Sequence, residues 1–209
     1  MTENIIRPRR ARRAAVAAVA LAAGAAIALT ACGSSSNGAS GSAAASSVTA
    51  STGSHNAADG MFVQMMIPHH EQAVEMSDML LAKRGIDARV VSLAQEITAS
   101  QGPEITTMTR WASSWGVSTG GGMDHGGMDH GSMSGMMSAG DMNRLKAAQG
   151  RDAARLFLEQ MIEHHTGAIT MAQNEIRDGQ DSSAKRLAES IATTQQREIA
   201  TMKQLLTQV

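Results

Sequence analysis

Apolar residues recur every three or four positions in four long stretches of the chain, with polar residues between them. That period belongs to helices with one buried face. Phe62, Met66, His69, Ala73, Met76 and Leu80 define the first, from Asp59 as candidate N-cap to about Lys83, with a bend expected at Pro68 and a glycine stop at Gly85. Leu93, Ile97, Gln101, Met108 and Trp111 or Ala112 define the second, from about Asp87 to Ser114, where Gly102-Pro103 predicts a kink rather than a stop. A short prelude over Asp141 to Gln149 breaks at Gly150. The third long helix then covers about Arg151 to Arg177 with Phe157, Met161, His164, Ala168 and Met171 inward. Asp181 can cap the fourth, which runs to about Thr207 and turns Leu187, Ile191, Gln195, Met202 and Leu206 inward. No useful strand-like alternation occurs. Short turns make each successive pair an antiparallel hairpin, and two hairpins can bury their stripes on each other as an all-α four-helix bundle. The body, about 145 residues, is long enough for one core.

The two hairpins are copies. FVQMMIPHHEQAVEM (Phe62 to Met76) returns as FLEQMIEHHTGAITM (Phe157 to Met171), with Met66-Ile67, His69-His70, Ala73 and Met76 matched at an offset of 95 residues. LAQEITASQGPEITTM (Leu93 to Met108) returns as LAESIATTQQREIATM (Leu187 to Met202) at an offset of 94, so the joining turns differ by one residue. A doubled His-His flanked by Met on both sides points to duplication of one unit. The motif M-I-x-H-H-x-x-A-[VI]-x-M resembles the mark of the bacterial family called domain of unknown function 305, over roughly Ala58 to Val209. The resemblance implies a ferritin-like bundle made of two duplicated helical hairpins, and an association of some members with copper binding and tolerance.

The N-terminus has a different character. Arg7, Arg9, Arg10, Arg12 and Arg13 precede an Ala/Val/Leu run over 14–28, and Leu29-Thr30-Ala31-Cys32 resembles a bacterial lipobox. Residues 1–31 thus read as a lipoprotein signal peptide, with Cys32 as the lipidated first residue of the mature chain. A plain secretory signal with an incidental Cys is the alternative, and the paired arginines leave Sec and twin-arginine export both open. As the sole cysteine, Cys32 excludes an intrachain disulfide. Residues 32–57 are a Ser/Gly/Ala-rich tether, leaving 58–209 for the bundle. The protein should therefore be exported and held on the outer side of the cell membrane.

Removing residues 1–31 takes five Arg and one Glu from 18 basic and 19 acidic side chains, leaving 13 and 18, a net charge of −5. An acidic chain with no Tyr and two Phe lacks the basic patch and stacking rings of a nucleic-acid binder.

Candidate chemistry lies in two places. Neighbouring helical residues point about 100° apart, so only one of each His pair can face the centre squarely. The stripes make His69 and His164 the inward pair, with His70 and His165 at helix seams. Met66, Met76, Met161 and Met171 share their faces. Imidazole and thioether together suit a soft transition metal, above all Cu(I). Equally open is a structural role, with the histidines bonded to Gln101, Glu104, Gln195 or Glu198 and Met filling gaps. Carboxylate-bound di-iron bundles place Glu three residues before His. Met66 and Met161 occupy those positions here, which argues against a ferroxidase. No nucleophile–base set suggests any other enzyme.

The second place is the connection between hairpins, residues 120–142, where Gly-Met-Asp-His-Gly occurs twice in succession. Met123, His125, Met128, His130, Met133, Met136 and Met137 offer seven ligands on a Gly/Ser chain. A plain linker explains the glycines but not oxidation-prone thioethers. A segment collecting copper or silver explains both, although Asp124 and Asp129 keep zinc and nickel open. The expectation is an exported, membrane-anchored copper-binding bundle for sequestration, storage or handover. A non-catalytic scaffold lipoprotein with structural core histidines is the alternative.

Overall fold

The computed structural model describes residues 54–119 and 134–209. All regular structure among them is helical: α1 (Ala57–Leu81), α2 (Ala88–Trp115), a short α3 (Ala139–Ala147), α4 (Gly150–Asp178) and α5 (Ser182–Leu206). The expected signal peptide and Cys32, nearly all of the tether, and Met123, His125, Met128, His130 and Met133 lie outside the described residues. None of the described helices is long and apolar enough to cross a membrane.

The long helices pair as the sequence anticipates. α1 packs on α2 and α4 on α5, while the two His-bearing helices, α1 and α4, form the main contact between hairpins. Asp87 and Asp181 cap α2 and α5 by accepting main-chain N–H groups of the first turn. Gly116 closes α2 in the left-handed region at φ +70°, a conformation that favours glycine. α1 and α2 run unbroken through Pro68 and Pro103. The joining turns differ because α4 continues to Asp178 before a three-residue turn, whereas α1 ends at Leu81 before a six-residue one.

The N-cap of α1 is Asn56, not Asp59. Asn56 accepts from the Ala58 and Asp59 N–H groups, and Asp59 bonds back to the Asn56 N–H, a reciprocal capping box. Asp59 also accepts the N–H groups of Gln180 and Asp181, 2.9–3.1 Å away, pinning the α4–α5 turn to the start of α1. Burial alone would raise the Asp59 pKa, but these main-chain donors and the Glu175 carboxyl hold it below its ordinary value. Glu175 moves the other way. Burial, and then the neighbouring Asp59 carboxylate, push it up to about 8.

The core falls into two apolar clusters. One holds Ala73, Met76 and Leu80 of α1 with Phe157, Leu158 and Met161 of α4. The other holds Phe62, Val63 and Met66 of α1 with Ala168, Met171 and Ala172 of α4. Between them the long helices contribute buried polar residues at one level: His69 and His70, Gln101, His164 and His165, and Gln195. Fully burying a large apolar side chain stabilises by roughly 1.5–3 kcal/mol. The polar layer gives up that gain across the middle of the bundle, which asks for a reason.

The connection re-enters the fold earlier than expected. Residues 134–138 are not solvated linker but a strap lying on the bundle, and α3 already begins at Ala139, inside the span expected to be loop. The Gln72 side-chain amide donates to the Met137 carbonyl at 3.0 Å and its carbonyl accepts the Met137 N–H at 2.8 Å. Met137 is buried in the first apolar cluster, and Met136 is half-buried. Opposite Gln72, Gly135 lies on α4 at φ +83°, so close that a Cβ there would meet the His164 carbonyl at 2.9 Å. A Cβ on Gly167 would overlap the Ser134 carbonyl. Gln72 and Gly167 are the same position of the repeat, at the offset of 95. The copies therefore differ where the strap crosses: one supplies an amide clamp, the other a bare backbone.

Candidate metal centre

The duplication is reproduced in the polar layer. His70 Nε2 meets Glu104 Oε2 at 2.8 Å, and His165 Nε2 meets Glu198 Oε2 at 2.6 Å. Each bond joins the two helices of one hairpin, α1 to α2 and α4 to α5. His70 and His165 are fully buried, and their Glu partners reach toward the surface at 16% and 12% exposure. Nδ1 of each is buried without a partner, but through Nε2 these two histidines meet the structural alternative, with the carboxylates rather than the glutamines as partners.

His69 and His164 do not. Their rings face each other across the α1–α4 interface with centroids 3.7 Å apart and planes tilted by 39°. Both are fully buried, and none of their four ring nitrogens has a hydrogen-bond partner. Both side-chain polar atoms of Gln101 and Oε1 of Gln195 are likewise unpartnered at this level. A buried polar group without a partner costs about 1–3 kcal/mol, so the layer carries a substantial penalty.

Burial determines the protonation state. It pushes the His69 pKa down to about 3, helped by the charges of His70 and His165 and opposed by the Ser134 main chain. Burial likewise holds His164 well below its ordinary value, aided by the charges of His69, His165 and His70. Both rings are thus neutral at any ordinary pH, and each has a ring-nitrogen lone pair free to bind an electrophile.

Met66 and Met161 sit three residues before these histidines, about 4.5 Å along each helix at 1.5 Å per residue. Both are fully buried. The same rise puts Met76 and Met171 about 10 Å beyond their histidines. Because α1 and α4 are antiparallel, they lie in opposite apolar clusters, Met76 in the first and Met171 in the second. Met66 and Met161 are therefore the nearer thioethers to the rings along the axis. Helical period assigns a face, but not a level along the axis. Met137, expected as a linker ligand, is a core residue instead.

No group of three or more His, Cys, Asp or Glu suited to a metal ion occurs among the described residues. The central donors on offer are the two neutral imidazoles and two thioethers, beside the unpartnered Nδ1 atoms of His70 and His165, a set poorly matched to the carboxylate and carbonyl ligands of magnesium or calcium. Sequence reading found the His pair but missed Gln72, Gly135 and Gly167, which bring the strap against it. The signal was one of several mismatches between the copies, Gln72 against Gly167.

Residues 59–206 match the family described as "Domain of unknown function (DUF305)". Similar solved structures include a candidate secreted DUF305 protein from Streptomyces coelicolor, at 31% identity and TM-score 0.65, covering 72% of this chain and 91% of that one. A DUF305 fragment from Deinococcus radiodurans is 31% identical at TM-score 0.66, covering 74% and 98%. CopM in its Cu(I)-bound form is 31% identical at TM-score 0.57, covering 72% and 96%. The comparison with curated proteins finds no match.

Proposed function

Because the chain belongs to the DUF305 family, we propose that it binds soft metal ions, with Cu(I) held at the His69–His164 layer for sequestration, storage or handover. The observation that carries this reading is the set of four unpartnered ring nitrogens at the centre of the bundle, flanked by Met66 and Met161. Such groups are costly to bury unless something bonds to them. Neutral imidazole and thioether are ligands that Cu(I) accepts. CopM, similar over 72% of this chain, has been solved bound to Cu(I), Cu(II) and silver. His70 and His165 act as supports: bonded to Glu104 and Glu198, they fix the hairpins on either side of the central rings.

The Met and His residues of the connection, Met123, His125, Met128, His130 and Met133, form a separate collecting segment in this reading, and Met136 lies where that segment joins the strap. The protein is non-catalytic. It is exported and anchored through Cys32, a reading supported by the lipobox-like LTAC sequence and its basic and apolar leader. Export also accords with the candidate secreted relative.

The second reading, a scaffold with structural histidines, is favoured by the His–Glu bonds alone. Cu(I) competition with a chromophoric chelator at neutral pH separates the two. Deleting residues 121–133 should lower copper capacity while leaving the helices and at least one tightly bound Cu(I). Adding His69→Ala and His164→Ala should remove that tightest equivalent. If the deletion alone removes all tight copper, the histidines are structural. If neither change matters, the scaffold reading replaces this one.

A further inference from the structure

Where the start of α1 passes the end of α4, the surface opens into a cavity of about 430 Å³ whose lining includes Met61, Phe62, Met65, Met171 and Glu175. Two spacings set its donors. Met61 and Met65 are four residues apart on α1, and Met171 and Glu175 are four apart on α4, so each pair stands on one face of its helix. Beside Asn174, Arg177 and Asp178, the facing helices thus present three thioethers and the Glu175 carboxyl to a single cavity. The carboxyl is 1% exposed, and its oxygens accept no hydrogen bond.

The Met61 sulfur is not explained by packing, whereas Met65 packs against the second apolar cluster and Met171 belongs to it. Met61 is 60% exposed, the one large hydrophobic residue so exposed among those described. An exposed thioether adds oxidation risk with little burial to offset it. Nor are the two α1 sulfurs inherited from the repeat. The positions matching Met61 and Met65 in the second copy are Leu156 and Gln160, and the partner of Met171 is Met76, which is fully buried. The triad therefore exists at one end of the bundle only, two helical turns along α4 from His164.

We propose that Met61, Met65 and Met171 form a second, solvent-accessible site for a soft monovalent cation, Cu(I) or Ag(I), with Glu175 on its inner wall. Thioethers select such ions over the hard cations abundant in solution. They carry no ionisable proton, so the three sulfurs bind without displacing one. Met61 and Met65, on the open side, can take an ion from solvent, and Met171 is already in place at 7% exposure. The assignment does not depend on copper at the His69–His164 layer.

Full-length protein labelled with carbon-13 at the methionine methyl groups tests it, using Ag(I) as a redox-inert probe. The methyl resonances are assigned by single Met→Leu substitutions, with circular dichroism confirming the fold. The Met61, Met65 and Met171 signals should move together as Ag(I) is added, and should do so equally in the His69→Leu/His164→Leu protein. Met65→Leu should suppress the movement of the other two, and the exposed Met61→Leu, which leaves the core untouched, should weaken it at least tenfold. If the three signals respond singly at different Ag(I) concentrations, as independent thioethers do, or stay still while others move, there is no such site.

Discussion

Replacing His69 and His164 together with leucine should flatten the acid sensitivity of the metal-free protein. In the folded chain both rings resist protonation, His69 until about pH 3 and His164 far below its ordinary range. In the unfolded chain each titrates near its ordinary value of about 6.5. Lowered folded-state pKa values mean that the unfolded state binds more protons below that point, so stability falls as pH falls. Between pH 7 and pH 5 one such ring costs about 2 kcal/mol and the pair about 4 kcal/mol, from the unfolded-state titration alone. For a protein of this size that is roughly 8–16 °C in melting temperature. Other groups titrate over the same range, so the informative quantity is a difference of differences. Chelator-treated wild type and double variant are unfolded in urea at pH 7 and pH 5, and their stability losses compared. The variant should lose about 4 kcal/mol less. Equal losses would show that the rings protonate in the folded state, and that the dry, neutral centre described above is wrong.

Four further expectations follow from other parts of the molecule. Once residues 121–133 are deleted, Cu(I) affinity at the central site should change less than threefold between pH 7.5 and pH 6, because protons do not compete for rings with pKa values this low; a tenfold loss in a chelator competition would contradict it. Gly167→Ala should drive the strap off α4, so that the Met137 amide exchanges at least tenfold faster by hydrogen exchange; unchanged protection would mean that the Ser134 contact is not tight. Glu175 has a folded-state pKa of about 8 against an ordinary 4.5, so its proton stabilises the fold at low pH, and that contribution is lost as pH rises toward 8. Glu175→Gln should remove a slope of up to about 1.4 kcal/mol per pH unit over that range, measured by urea denaturation, and an unaltered slope would count against the Asp59–Glu175 pair. Cys32→Ala should move the protein out of the membrane fraction, and correct processing with detergent-requiring attachment would refute lipidation there.

Much of the fold was readable because duplication and period reinforced each other. Gln101 and Gln195 were placed on the inward stripes, and they are buried at the level of the histidines. The inward assignment of His69 and His164 over His70 and His165 followed from a 100° step between neighbours. Local rules fell short where the answer lay on another helix or at another height. Asp59 looked like a cap, but it is the third helical residue and ties the α4–α5 turn to α1. Met76 and Met171 share the face of the histidines about two turns farther along. The strap was hidden because its Gly and Met composition reads as linker, whereas Gln72 and Gly167 hold it from helices far away in sequence. Met61 and Met65 fall off the core stripe, so a search for buried donors passes over them.

The central claim is that the His69 and His164 rings bind Cu(I). X-ray absorption at the copper edge tests it most directly, on protein lacking residues 121–133 and loaded with one equivalent of Cu(I). Copper on these rings gives a spectrum with imidazole multiple scattering and a sulfur shell from Met66 or Met161, and the imidazole component is lost in the His69→Ala/His164→Ala variant. A spectrum of sulfur scattering alone, or one unchanged by the variant, would contradict it.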